Sequence, residues 1–402
     1  MATPTEPSTV TGRTDIGTIE DLHAAATRMT GLTDFGEGSE YLEGLGVLLE
    51  SYARDERLTA LGYKAHRAAL RGALAARALS EAAFVSNPRY REVRIERPIF
   101  VTGLPRTGTT ALHRLLCEDP RHQGLQMWLT QVPQPRPPRE SWAANPIYAH
   151  MQENFERHYI ENPEFMGVHF MSADMVEECW QILRQSMLSI AYETLAYLPT
   201  YSAWLRQQDW TPAYARHKRN LQLIGLNDAG KRWVLKNPSH LFALDALFAT
   251  YPDALVVQTH RDPRTIVASS SSLSAQACAG QSEKFVGEVI GRTQLELWAR
   301  GAELFQDARA RYEPAQFIDV DYQDFVKDPL GTVELIYAHF GIDLPGVSQR
   351  AIAAVHAQSH TGDRRPSHQY SLADFGLTGE EVDERFAKYL AAHGESHHRP
   401  VS

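Results

Sequence analysis

Residues 98–116 read PIFVTGLPRTGTTALHRLL: an apolar run breaks at Gly103-Leu-Pro-Arg-Thr-Gly108-Thr-Thr110 and resumes with apolar residues at helical spacing. The pattern predicts a strand, a tight loop and a helix. Glycines at 103 and 108 let the backbone turn sharply, and the start of the helix aims free N–H groups and the positive dipole end at the loop, which favours phosphate or sulfate. Trp233–Leu235, Ala254–Thr259 and Gln316–Asp321 read as further strands. Helical segments lie between them: Leu241, Leu244 and Leu247 mark one face, Gln281–Tyr312 is helical, and Pro329–Phe340 forms another helix. This alternation predicts an α/β fold with a doubly wound parallel sheet of the P-loop type. Ligands gather beyond the carboxyl ends of such strands, so Arg106, Lys236 and Arg261 are expected at one crevice.

The loop has the spacing of the nucleotide-triphosphatase motif G-x-x-x-x-G-K-[ST], but Thr109 takes the lysine position and the positive charge sits on Arg106. Ordinary ATP or GTP hydrolysis is therefore disfavoured. The form L-P-R-T-G-T-T instead resembles the 5′-phosphosulfate loop of sulfotransferases that use 3′-phosphoadenosine 5′-phosphosulfate (PAPS), where a basic residue follows the loop proline. The resemblance implies donor contacts from Pro105, Arg106, Thr107, Gly108, Thr109 and Thr110. In the same family an arginine at a strand end and a serine eight positions later hold the 3′-phosphate. Arg261 and Ser269, in THRDPRTIVAS, match both type and spacing. The segment L-K-N-P-S-H-L, residues 235–241, is similar to the L-K-x-P-x-H stretch of a bacterial branch, and that likeness makes Lys236 and His240 catalytic candidates. Tyr322–Pro329, after the strand Gln316–Asp321, resembles the stretch following that strand in many sulfotransferases, and His368–Gly376 resembles the end of the bacterial branch, so the likeness runs from about Asp34 to Leu390.

Glu178, in an E-E-C pattern shared with that branch, offers a carboxylate base as an alternative to His240, and His169 stands nearby in sequence. Asp174 and Glu177 have the D-x-x-E spacing of a helix-capping box. Arg364 and Arg365 are candidates for a loop closing on the donor.

The expected organisation is a leader and N-terminal helical segment over 1–92, with helices near Thr18–Met29, Ser39–Tyr52 and Asp55–Phe84. A PAPS-binding core follows over 93–345, carrying a helical insertion at 124–230 as the expected acceptor site, and a cofactor-closing segment and tail occupy 346–402. The proline-rich Val132–Pro138 is expected to be neither helix nor central strand. The chain has 402 residues, 43% hydrophobic and 22% charged, with no apolar run long enough for a membrane span and no apolar leader. A cytoplasmic enzyme is expected. Cys117, Cys179 and Cys278 are widely spaced and suit reduced packing residues. A net charge of −9 argues against a nucleic-acid partner, and the basic run Arg216–Arg219 reads as a solvated helix face. His356 and His360 have helical metal-ligand spacing but lack a third ligand, and His397 and His398 belong to a polar tail.

The implied reaction moves a sulfonate group from PAPS to an acceptor hydroxyl and calls for no metal. Trp128, Trp142, Tyr148, Phe155, Tyr159, Phe165, Phe170, Trp180, Trp204 and Trp210 make the insertion aromatic. They suit a core, a pocket for a small hydrophobic acceptor or a homo-oligomer contact. A P-loop kinase and a noncatalytic nucleotide-binding protein are the rival readings.

Overall fold

A computed structural model of the chain describes residues 14–161, 172–359 and 370–393. Its centre is one sheet of five strands: β1 (Ile99–Gly103), β2 (His122–Gln123), β3 (Arg232–Lys236), β4 (Leu255–His260) and β5 (Phe317–Asp321). Their order is β2-β3-β1-β4-β5, with every neighbouring pair parallel. The chain leaves β1 toward β2 and β3 on one side and later returns to β4 and β5 on the other. That reversal opens a crevice above the carboxyl end of β1, between Lys236 at the end of β3 and Thr259 and His260 at the end of β4.

Strand alternation divides the interior into two cores. Ile99, Val101, Val234, Leu255 and Val257 pack with Leu112, Leu115 and Leu116 of the helix Thr109–Cys117 and with Val333 and Ile336 of the helix Pro329–His339. Phe100, Leu235 and Val256 project to the opposite face, where they join Leu244, Leu247, Trp298 and Phe305. The three N-terminal helices Ile19–Thr30, Glu40–Arg54 and Ala60–Ser86 supply Leu22, Leu45, Leu48 and Leu70 to this second core. Thr18 and Thr59 cap the first and third of these helices by accepting from Asp21 N and Gly62 N.

The insertion is not an appendage. Trp128, Leu183, Tyr201 and Tyr214 are fully buried in the same core as Phe100 and Leu235. Val132–Pro138 forms neither helix nor strand. One strand was not foreseen and two expectations need correction. The edge strand β2 is only two residues long, too short to leave a periodic pattern. Asp174 and Glu177 form no capping box, because the next helix starts at Trp180 without a side-chain cap, and Glu177 N donates to Leu125 O at 2.7 Å. The run at Arg216 is not a solvated face: Arg216 is buried and pairs with Glu81 at 2.5 Å, and His217 is buried against Tyr251. Among the described residues no helix is long and apolar enough to cross a membrane. Cys117, Cys179 and Cys278 are free thiols, the latter two buried.

Candidate functional site

Gly103 ends β1 where its neighbour β4 leaves no room. A Cβ there would stand 2.4 Å from Thr259 Oγ1 and 2.6 Å from Thr259 O, and the backbone has φ +146°. Gly108 closes the loop with φ +83° and begins the helix Thr109–Cys117 without a side-chain cap, so the first N–H groups of that helix face the loop. The ring of Tyr322 backs the same turn, 3.1 Å from where a Gly108 Cβ would be. Thr107 braces the loop from beneath. Its hydroxyl donates to Leu104 O at 2.7 Å and lies 2.5 Å from Thr259 Oγ1.

Arg106 adopts a left-handed conformation, φ +67°, which is uncommon for a side chain of its size. Its Nε donates to Ser269 Oγ at 3.1 Å, and Arg261 donates from Nη1 to the Arg106 carbonyl at 2.8 Å. The loop and the distant arginine–serine pair are therefore in direct contact. Ser269 lies on the helix Pro263–Ala277, whose start is capped by Asp262 accepting from Arg264 N and Thr265 N. The Arg261 guanidinium stacks on Tyr322, 4.1 Å from the ring centroid.

Across the loop, Lys236 is 3% exposed, donates from Nζ to Thr110 Oγ1 at 3.1 Å and forms a short ion pair with Glu178, which keeps 26% of its side chain exposed. The pairing follows from backbone anchoring: Cys179 N donates to Lys236 O at 3.0 Å, joining the Glu178 segment to the end of β3. The adjacent Glu177 is buried, and burial pushes its carboxyl above the usual range.

His240 goes elsewhere. Asn237 accepts from Ser239 N at 2.6 Å and sets the turn Pro238–Phe242. That turn carries His240 to the face of the sheet opposite the Thr109–Cys117 helix, where its ring meets Phe100 edge-on at 5.0 Å and its Nδ1 lies 2.6 Å from the Tyr214 hydroxyl. It is fully buried, and burial holds it well below the ordinary imidazole range. The structure thus brings Arg106, Thr107, Gly108, Thr109, Thr110, Lys236, Glu178, Arg261 and Ser269 to one crevice, with Pro105 in its loop, and leaves His240 out. His169, Phe165, Phe170, His360, Arg364, Arg365, His397 and His398 lie outside the described residues.

Sequence reasoning missed two features. Tyr322 buttresses both Gly108 and Arg261, a role that its place at the start of the family-like stretch Tyr322–Pro329 did not reveal. The ion pair of Lys236 with Glu178 had no local signal at all. One cluster, His260, Asp319 and His393, has the ligand types for a metal. Its ligand atoms lie within 4.8 Å of one another, its two rings are stacked at 4.0 Å, and Asp319 already takes two hydrogen bonds from Arg309. A cleft of about 950 Å³ flanks β2 and is bordered by Arg114, Arg139, Trp142 and Val176, none of them from the phosphate loop.

Comparisons with known proteins agree with this geometry. The family model described as "Sulfotransferase family" matches residues 98–346, which include every strand of the sheet. The crystal structure of sulfotransferase STF1 from Mycobacterium tuberculosis is similar with TM-score 0.88 and 57% identity, covering 94% of this chain and 100% of that one. That of sulfotransferase STF9 from Mycobacterium avium is similar with TM-score 0.84 and 25% identity, covering 96% and 98%. The omega-hydroxy-beta-dihydromenaquinone-9 sulfotransferase Stf3 of Mycobacterium bovis is 25% identical over 318 residues, 75% of this chain and 76% of its own length. A parallel sheet of this order, an arginine-bearing loop between its central strand and the next helix, and a matched family model spanning most of the chain lead to one conclusion: the protein belongs to the sulfotransferase family.

Proposed function

We propose that the enzyme transfers a sulfonate group from PAPS to a hydroxyl of a small, largely hydrophobic acceptor. The observation that carries this reading is the cation arrangement around the loop: on one side Arg106 donates to Ser269 and Arg261 to the Arg106 carbonyl, and on the other Lys236 reaches Thr110. A donor with two separated anionic groups suits that spacing. The loop and helix N–H groups would take the 5′-phosphosulfate, and Arg261 with Ser269 the 3′-phosphate.

In the proposed step the acceptor oxygen attacks sulfur, the sulfur–oxygen bond to the 5′-phosphate breaks, and the electron pair leaves on that phosphate. Lys236 neutralises the leaving oxygen, and Arg106 with the helix start orients the sulfonate. Glu178 takes the acceptor's proton. It is chosen over His240 because Glu178 shares the crevice with Lys236 and remains accessible, whereas His240 is sealed on the other face of the sheet. Before the donor arrives, the Lys236 ammonium is held by Glu178; a phosphosulfate competing for that ammonium would free the carboxylate to act as base.

The hydrophobic acceptor is supported by the relative whose name specifies a menaquinone-derived hydroxyl and by half-buried Trp180 beside Glu178. The aromatics Trp128, Trp142 and Trp210 serve the core instead. The test is calorimetric binding of 3′-phosphoadenosine 5′-phosphate (PAP) to wild type and Arg261→Ala, with ATP and magnesium-ATP as competitors. Binding that depends on the 3′-phosphate and weakens in the variant is expected; preference for magnesium-ATP would overturn the reading in favour of a kinase.

A further inference from the structure

Arg184 closes the short helix Trp180–Arg184, six positions after Glu178. Its side chain is 5% exposed and sandwiched by aromatic rings: its guanidinium carbon lies 4.1 Å from the Trp180 ring centroid and 5.2 Å from that of Tyr192. Among the described residues no carboxylate pairs with it, and its Nε is buried without a hydrogen-bond partner. The other three buried arginines among the described residues differ. Arg77 donates to the carbonyls of Phe35, Gln185 and Glu37. Arg136 reaches Asp228, Gln123, Gln126 and the Gly124 carbonyl, and Arg216 reaches Glu81, Gln185 and the Arg77 carbonyl. A guanidinium stays charged even when burial weakens it, and a buried charge without an acid or a full set of acceptors is destabilising. The aromatic faces offset only part of that cost.

A second unfilled donor belongs to the same neighbourhood. The Tyr52 hydroxyl lies 3.0 Å from His66 Nδ1, and burial keeps Tyr52 protonated. With no other acceptor for Tyr52 among the described residues, its O–H donates to Nδ1 and the ring proton sits on Nε2, which is buried without a partner. Burial, with the charge of Arg184 adding to it, holds His66 down to about 4, so this ring is neutral near pH 7.

We infer that Arg184, assisted by His66 Nε2–H, binds an anionic group on the acceptor, making the preferred acceptor an amphiphile whose carboxylate, phosphate or sulfate is set back from its hydroxyl. This rests on the acceptor reading above. Within the helix the four steps from Trp180 to Arg184 cover about 6 Å, and Glu178 precedes that helix by two residues. Trp180 lies between the two ends and offers an apolar face for the body of the molecule. The inference also gives the N-terminal helices a place at the site, because Tyr52 and His66 come from Glu40–Arg54 and Ala60–Ser86.

The test is calorimetry in the presence of PAP with 3-(4-hydroxyphenyl)propionate and its methyl ester, on wild type, Arg184→Met and Arg184→Lys. Wild type should bind the carboxylate at least about tenfold more tightly than the ester, as expected for a charge-assisted hydrogen bond. Arg184→Met should bring the two within about twofold, and Arg184→Lys should keep part of the preference. Arg184→Met should also melt above ligand-free wild type, since it removes a lone buried charge; a purely structural arginine would give the opposite shift. No preference in wild type, or a preference that survives in Arg184→Met, overturns the anion site while PAP binding leaves the donor reading standing. Loss of PAP binding by wild type overturns the donor reading itself and this inference with it.

Discussion

The proposed donor side and the proposed acceptor side of the crevice are built in different ways. On the proposed donor side one continuous strand–loop–helix, residues 98–116, supplies most of the residues assigned to the anion, and Arg261 and Ser269, which contact it, lie at a distant strand end and on the helix that follows. On the proposed acceptor side Glu178 and Lys236 are brought together by long-range packing, and the residue that local sequence offers as base, His240, is turned into the core. Phosphate binding needs backbone geometry that a short motif can encode. Proton transfer and acceptor choice need side chains that meet only when the whole fold is assembled.

The largest effect should come from the residue both sides share. Lys236→Ala is expected to lower kcat about 10³-fold, on the scale of losing a group aimed at developing charge, with a much smaller change in PAP affinity. Pre-steady-state transfer of labelled sulfonate would measure it; a kcat within tenfold of wild type would detach Lys236 from the leaving group. Donor-side variants should affect binding more than turnover. Arg261→Ala is expected to weaken PAP by roughly 10- to 100-fold and Ser269→Ala by only a few-fold, as a charged and a neutral hydrogen-bond donor would. Equal losses would contradict the division of labour between them.

His240→Phe sharpens the contrast from the other direction. It leaves the Tyr214 hydroxyl without its 2.6 Å partner, so unfolding stability should fall by about 1–3 kcal/mol while kcat stays within a few-fold at a temperature where the variant is folded. Buried neutral imidazoles also set a pH dependence common to both sides. Folding holds His66 down to about 4 and His113 and His217 down to about 3, against about 6.5 when unfolded. The unfolded chain binds more protons between these values, so stability present above pH 6.5 should be lost progressively as the pH falls toward 4. Calorimetric melting between pH 8 and 4.5 checks this, and a flat or rising melting temperature on acidification would contradict it.

What was legible follows the same division. The parallel sheet, the strand–loop–helix at 98–116 and the N-terminal helices show as local periodicity and capping residues, and each is found within a few positions of its expected place. The two-residue β2 has too little length to carry a period. Arg216 looked solvated because its partner Glu81 is 135 positions away in sequence. Arg184 sits in Ile-Leu-Arg-Gln-Ser-Met-Leu, where nothing local separates a buried lone charge from a surface one. His240 was misplaced because the Asn237 side chain, which accepts from Ser239 N, decides which way the turn faces.

The most direct test of the account is single-turnover transfer of labelled sulfonate from PAPS to a phenolic acceptor by Glu178→Gln and His240→Phe, compared with wild type. The account predicts a loss of about 10²- to 10⁴-fold for Glu178→Gln and near-normal transfer for folded His240→Phe. Unimpaired transfer by Glu178→Gln, with the loss appearing instead in His240→Phe, would contradict it.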